Sequence, residues 1–124
     1  MSFDWKNYLH LAEKFRDTFS GKNGEYVEGI KRTAISRAYY AGFHIAENYA
    51  ISVGYSKPTQ NHHQLLQTWY RTQFGNLNHQ EIKTILARTL KARKEADYND
   101  LITDNLDDKM KSVILDVQRI EVLL

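Results

Sequence analysis

The sequence contains an arginine–histidine pair whose residue types and spacing suit chemistry on a phosphodiester. Arg37 and His44 lie seven positions apart in residues 26–54, which have the pattern of one long helix. Seven residues are close to two helical turns, so the two side chains point the same way, about 10 Å apart along the axis. A guanidinium binds phosphate oxygens, and an imidazole accepts or donates a proton near neutral pH. The pair therefore combines an anion-binding group with an acid/base group.

These two groups would serve the cleavage of RNA by its own 2′-hydroxyl. That reaction needs a proton acceptor for the hydroxyl, a proton donor for the leaving 5′ oxygen and positive charge near the phosphorus. One pair supplies half of this set, and a twofold dimer that joins two copies of the helix would supply the whole. We therefore take His44 as the candidate general acid/base and Arg37 as the candidate phosphate-binding residue.

A purely structural role for the same pair remains open. An arginine on a mostly apolar helix is often held by a carboxylate, and Asp97 or Glu47 could hold Arg37 in this way. His44 could equally be an interior histidine whose hydrogen bonds are satisfied within the fold. The residue pattern alone does not separate these alternatives.

The helix that carries the pair has two apolar faces with a polar stripe between them. Tyr40 lies on that stripe with Arg37 and His44, where its ring either packs with the hydroxyl at the rim or contacts a base or phosphate. A helix of this kind is either the central member of a bundle or packs on a partner by its second face. The two apolar sets are Val27, Ile30, Ala34, Ala38, Ala41 and Ile45, and roughly opposite them Tyr39, Phe43, Ala46 and Ala50.

Five amphipathic segments predict an all-α, single-domain, up-down bundle over residues 1–124. Apolar residues at three- and four-residue steps indicate helices at 3–19, 26–54, 61–74, 78–96 and from 103 or 104 to the end. Glycine, asparagine and the single proline, Pro58, mark the breaks between them. Short connections place successive helices antiparallel.

Composition and motifs limit the function classes. The net charge is +2 and cysteine is absent, so the chain forms no disulfide and carries no reactive thiolate. An early run of charges and the lack of a long apolar segment predict a cytoplasmic protein without a membrane span. His62 and His63 are adjacent and diverge by about 100° on a helix, so they predict no metal site. No phosphate loop or other cofactor motif is present, and we expect no cofactor.

Three segments in order resemble a prokaryotic HEPN domain. They are FDWKNYLHLAEKF, AISRAYYAGFH and LKARKEADYND, which together extend from residue 3 to about residue 100. HEPN domains are helical bundles that usually pair. Many are metal-independent endoribonucleases that act as toxins, often with a minimal nucleotidyltransferase as antitoxin, or in antiviral defence. The resemblance implies an RNA substrate, a homodimer formed through the central helix and a possible nucleotidyltransferase partner.

The resemblance also assigns the candidate catalytic residues. HEPN ribonucleases carry an arginine, then four to six residues, then a histidine, and this pattern falls on Arg37 and His44 with six residues between them. The residue after the arginine is polar or charged in many active members, whereas here it is Ala38. The alternative implied function is a non-catalytic HEPN module that binds a nucleotide, RNA or a partner protein.

The segment RKEADY adds residues that would support the pair. The resemblance places this segment beside the central helix, which implies that Asp97 or Tyr98 braces Arg37. Arg93 and Asp97 are four residues apart and could instead form a simple ion pair at the end of a helix. Arg93, Asp97, Tyr98 and Tyr40 are therefore candidates for supporting the pair or contacting substrate.

Overall fold

The computed structural model describes residues 3–73, 76–102 and 105–124, and these residues form an all-α bundle, as predicted. The helices in the described residues are α1 (Lys6–Phe19), α2 (Glu25–Ser52), α3 (His62–Arg71), α4 (Leu77–Tyr98) and α5 (Leu106–Leu123). Helix α2 packs against α1, α4 and α5, so it is the central member of the bundle.

Local hydrogen bonds explain where the helix ends differ from the prediction. Helix α1 begins at Lys6 rather than at residue 3, because the Asp4 carboxylate accepts a hydrogen bond from the Lys6 backbone N–H at 3.0 Å. Helix α4 continues through Tyr98, so RKEADY is wholly helical. The predicted end of α3 at residue 74 and the predicted starts of α5 at 103 or 104 lie outside the described residues. Helix α5 begins at Leu106, after Asn105 caps the backbone N–H of Asp108.

The second apolar face of α2 and the alanines of the first are buried inside one chain, whereas Val27, Ile30 and Ile45 of the first face are partly exposed. Ala34, Ala38 and Ala41 pack in a cluster with α1 and α5, and Gly42 allows α5 to come close, since a Cβ there would lie 3.0 Å from Val117. The opposite face packs against α3 and α4 through Tyr39, Phe43, Ala46, Ala50, Leu66, Tyr70, Ile82, Ile85, Leu86 and Leu90. The second apolar face therefore gives no argument for a dimer, although the sequence had suggested one.

The chain reverses direction after α2 and returns beside the end of that helix. Gly54 has φ 113°, a conformation that favours glycine, and the backbone N–H of Tyr55 bonds to the Ala50 carbonyl at 2.9 Å. This helix-terminating turn leads into residues 55–61, which bring Lys57 to within 3.9 Å of Glu47 on α2. One wall of the candidate site is built in this way.

None of the described helices combines the length and the apolar character needed to cross a membrane.

Candidate functional site

The polar stripe of α2 is a half-buried strip between α1 on one side and α3 and α4 on the other. Arg37, Tyr40 and His44 are each partly exposed, whereas Ala38, Ala41 and their neighbours on the apolar faces are buried. The strip places the arginine and the histidine on the same side of α2, as their spacing predicts. Its two edges are formed by aromatic and charged side chains that the helix pattern alone did not assign to a site.

Arg37 has no carboxylate partner within the described residues. Its guanidinium carbon lies 4.9 Å from the centre of the Tyr8 ring, and Tyr8 in turn packs edge-on against Trp5 at 5.4 Å. Stacking on an aromatic face orients a guanidinium without using its N–H donors. The side chain is therefore held by α1 while its hydrogen-bond donors remain available to a ligand.

The His44 ring is held by stacking rather than by a hydrogen bond. It lies on the indole of Trp5 with ring centres 3.6 Å apart and planes inclined by 14°, and Phe43 meets it edge-on at 5.0 Å. The Nδ1 atom is 3.6 Å from Glu47 Oε1, which is too long for a hydrogen bond. The side chain keeps 21% of its surface exposed, so His44 is neither sealed inside the bundle nor free in solvent.

Burial, with smaller contributions from nearby Lys57, His63 and His62, lowers the pKa of His44 to about 4. The Glu47 carboxylate at 3.6 Å acts in the opposite direction, because a negative charge favours the imidazolium, but burial is the larger effect. At neutral pH the ring is therefore uncharged and can accept a proton. A base with so low a pKa is weak, and only a small fraction of the ring can donate a proton at pH 7.

A groove of about 400 Å³ opens beside His44, a volume that suits a small ligand or part of a polymer. Its walls come from α2, from the segment after α2 and from the first turn of α3. The residues that line it are Tyr40, Phe43, His44, Glu47, Lys57, Asn61, His62 and His63. A larger cavity of about 690 Å³ lies near the start of α5. Lys31, which lines it, is already bound to the Asp107 carboxylate at 3.0 Å and to the Lys22 carbonyl at 2.7 Å.

Arg93 lies under the other edge of the strip. It is only 7% exposed and its guanidinium contacts the rings of Tyr39, Tyr40 and Tyr98 at 5.3 to 5.9 Å. Its Nη1 lies 3.4 Å from Asp97, so the ion pair that the spacing allowed is formed. Arg93 therefore packs against the half-exposed ring of Tyr40 from the interior of the bundle.

Asp97 does not reach Arg37 in the described structure. Its Oδ2 accepts hydrogen bonds from Ser36 and Arg93, each at 3.4 Å, and Tyr98 is 72% exposed with its ring against Arg93. The brace that the HEPN resemblance implied for Arg37 is thus supplied by Tyr8 of α1. Trp5 and Tyr8 have the three-residue spacing of core positions of an amphipathic helix, and that spacing alone gives them no role at the site.

His63 joins the candidate site through a buried tyrosine. The Tyr39 hydroxyl lies 2.5 Å from His63 Nδ1, and burial lowers the pKa of His63 and raises that of Tyr39. The hydrogen bond therefore joins a neutral imidazole to a neutral phenol. In the sequence, His63 stands out only as a possible metal ligand with His62, with no other role.

The geometry gives no metal ligand set, and the comparisons give no relative. Within residues 3–73, 76–102 and 105–124, no three histidine, aspartate or glutamate side chains are grouped so that they could hold a metal ion. No protein-family model, curated protein or solved structure matches this chain.

Proposed function

We propose that this protein is a HEPN-type, metal-independent endoribonuclease in which Arg37 binds the scissile phosphate and His44 accepts the proton of the 2′-hydroxyl. The observation that supports this most is the state of Arg37: a half-exposed guanidinium, fixed on Tyr8, without a carboxylate partner in the described residues. It shares one strip of α2 with a partly exposed, uncharged imidazole. This arrangement offers an anion site and a base to the same ligand.

The reaction follows from these two groups. His44 removes the 2′-hydroxyl proton, the 2′ oxygen attacks phosphorus, and the bond to the 5′ oxygen breaks to leave a 2′,3′-cyclic phosphate. Arg37 neutralises the charge that grows on the phosphate oxygens. A bound phosphate also adds negative charge near His44, which raises its proton affinity during the reaction. The leaving 5′ oxygen takes its proton from solvent or from the His44 of a second copy.

A homodimer would complete the set of groups. Because both apolar faces of α2 are used inside the chain, the proposed twofold contact runs along the half-exposed strip itself, so that two Arg37–His44 pairs share one cleft. The biological role that goes with this activity is that of a cytoplasmic toxin or antiviral-defence component. A minimal nucleotidyltransferase is the proposed antitoxin, and Tyr98, which is 72% exposed with its ring against Arg93, is a candidate tyrosine for it to modify.

One observation favours a second candidate function, a non-catalytic HEPN module that binds a nucleotide, RNA or a partner protein. Trp5 covers one face of His44, and the pKa of the ring lies near 4, so His44 is a weak base. Half-exposed aromatic rings beside an unpaired guanidinium would still bind unstacked bases and phosphate without cutting the chain.

A cleavage assay on mixed single-stranded RNA in EDTA separates the two functions. Native protein is compared with His44→Gln, and His10→Gln serves as the matched control because His10 is exposed on α1. Cleavage that leaves 2′,3′-cyclic phosphate ends and falls about 10²- to 10⁴-fold in His44→Gln alone supports the nuclease. Binding without cleavage by native protein supports the module. Equal cleavage by native protein and His44→Gln contradicts the proposed role of His44.

A further inference from the structure

Glu47 is a buried carboxylate next to His44 whose hydrogen bonds are incomplete. It lies three residues after His44 on α2 and is 2% exposed, with Oε1 3.6 Å from His44 Nδ1 and 3.9 Å from Lys57 Nζ. Its second oxygen, Oε2, is buried and has no hydrogen-bond partner within the described residues. Neither neighbour compensates well, because Lys57 is 58% exposed and His44 is uncharged at neutral pH.

The packing of α2 gives no reason for a carboxylate at this position. Ala50, one helical turn after Glu47, is fully buried, so Glu47 borders the apolar face of the helix. A buried carboxylate without full hydrogen bonding destabilises the folded state relative to a neutral side chain of the same shape. An unsatisfied group of this kind in an otherwise well-packed bundle calls for an explanation outside folding.

The aromatic neighbours of His44 fix the plane of its ring but not its tautomer, and Glu47 is placed to determine the tautomer. Trp5, stacked on the ring at 3.6 Å, and Tyr40, 6.4 Å away and inclined by 25°, restrict the plane of the ring. They do not decide which nitrogen carries the proton. The charged and titratable groups around the ring are Glu47 from α2, Lys57 from the following segment, and His62 and His63 from α3. Of these groups only Glu47 attracts a proton to Nδ1.

We propose that Glu47 is a positioning residue for His44: it keeps the proton on Nδ1, so that Nε2 is the atom that accepts the proton of the 2′-hydroxyl. The claim that the proton stays on Nδ1 concerns the fold alone, whereas the claim that Nε2 accepts the 2′-hydroxyl proton rests on the proposed nuclease function. When Nε2 takes the proton, the O–H electron pair forms the new bond from the 2′ oxygen to phosphorus. The bond to the 5′ oxygen breaks with its electron pair, and the 5′ oxygen takes a proton from water. Glu47 stabilises the imidazolium that is left.

The test uses Glu47→Gln, which keeps the size of the side chain and removes its charge. Glu81→Gln is the matched control, because Glu81 forms an exposed ion pair with Arg119 on another face. We expect Glu47→Gln to lower kcat for RNA cleavage about 10- to 100-fold with little change in KM. Its melting temperature should stay level or rise, since a buried charge is removed. Glu47→Asp should recover part of the activity. A fall in stability together with unchanged kcat would make Glu47 a structural residue and overturn the proposal.

A second readout needs no nuclease activity. The imidazole ¹⁵N chemical shifts of His44 report which nitrogen is protonated. We expect the Nδ1–H form in native protein and in Glu81→Gln, and loss of that preference in Glu47→Gln. The same tautomer in all three proteins would overturn the positioning role even if RNA is cleaved. Conversely, a tautomer change in Glu47→Gln without RNA cleavage by native protein would refute the nuclease while leaving the control of His44 by Glu47 in place.

Discussion

Two arginines on α2, five residues apart, are used in opposite ways. Arg32 donates to the carbonyls of Ala96 and Asn99 at 2.9 and 2.7 Å and pairs with Glu28 at 3.0 Å. The hydrogen bonds of Arg32 therefore attach the end of α4 to the first half of α2. Arg37 has no such acceptor in the described residues and lies on the ring of Tyr8.

The difference indicates which cations the fold needs. Donors bound to backbone carbonyls satisfy groups that a helix end would otherwise leave without partners, so Arg32 serves stability. A guanidinium that rests on an aromatic ring contributes less to folding and keeps its donors for another molecule. Lys31, which is 5% exposed and bound by Asp107, serves stability in the same way as Arg32. The cations of α2 before Arg37 are bound within the fold, so we call the part of α2 from Arg37 to Ser52 its functional half.

The largest difference between the two regions that we expect in solution is their response to acid. The functional half of α2 carries His44 and lies against His63 of α3, and the pKa values of both histidines are lowered chiefly by burial, whereas the first half of α2 has no histidine. Because the unfolded chain takes up these protons first, stability is full above about pH 6.5 and falls as the pH drops toward 4. Each histidine contributes at most about 1.4 kcal/mol per pH unit in that window.

Chemical denaturation at a series of pH values measures this effect. His44→Gln should show a shallower loss of stability between pH 6.5 and 4 than native protein, while His10→Gln should follow the native curve. His79, which is also buried and has a lowered pKa, remains in both variants and keeps part of the slope. Identical slopes in His44→Gln and native protein would show that His44 titrates normally and is less buried than described.

A smaller effect on cleavage is expected for Asp97→Asn, which tests whether Asp97 belongs to the candidate site. Asp97 is bound to Arg93 and Ser36 and not to Arg37, so its amide variant should keep its RNA cleavage within about twofold. It should lose about 1 to 3 kcal/mol of stability, because Arg93 is only 7% exposed and loses its charged partner. Urea denaturation and the cleavage assay measure the two quantities. A large loss of cleavage at unchanged stability would mean that Asp97 braces Arg37 after all, as the HEPN resemblance implied.

Helix periodicity predicted most of what depends on local sequence. The five helices, the two apolar faces of α2 and the shared direction of Arg37 and His44 follow from a repeat of 3.6 residues, which can be read without knowing how the helices pack. The hydrogen bond from the Lys6 N–H to Asp4 and the glycine turn at Gly54 also depend only on local sequence.

The contacts that define the site depend on how helices cross, and a single sequence does not give this. Trp5 has the spacing of a core residue of α1, and only the packing of α1 on α2 sets it against His44. The sequence offered Glu47 only as a partner of Arg37, and the packing of the bundle instead buries it beside His44 and Lys57. The second face of α2 was equally ambiguous, because a cover by α3 and α4 and a cover by another chain require the same apolar pattern.

The most direct test of the contrast between the two arginines is to compare Arg37→Gln with Arg32→Gln for both RNA cleavage and thermal stability. We predict that Arg37→Gln loses at least about tenfold in cleavage rate with little change in melting temperature, since one bidentate contact to phosphate is removed. Arg32→Gln should lose about 1 to 3 kcal/mol of stability and keep its cleavage rate at temperatures where it is folded. If Arg37→Gln instead melts earlier and cleaves RNA as native protein does, Arg37 is a structural residue and the functional assignment of the strip is wrong.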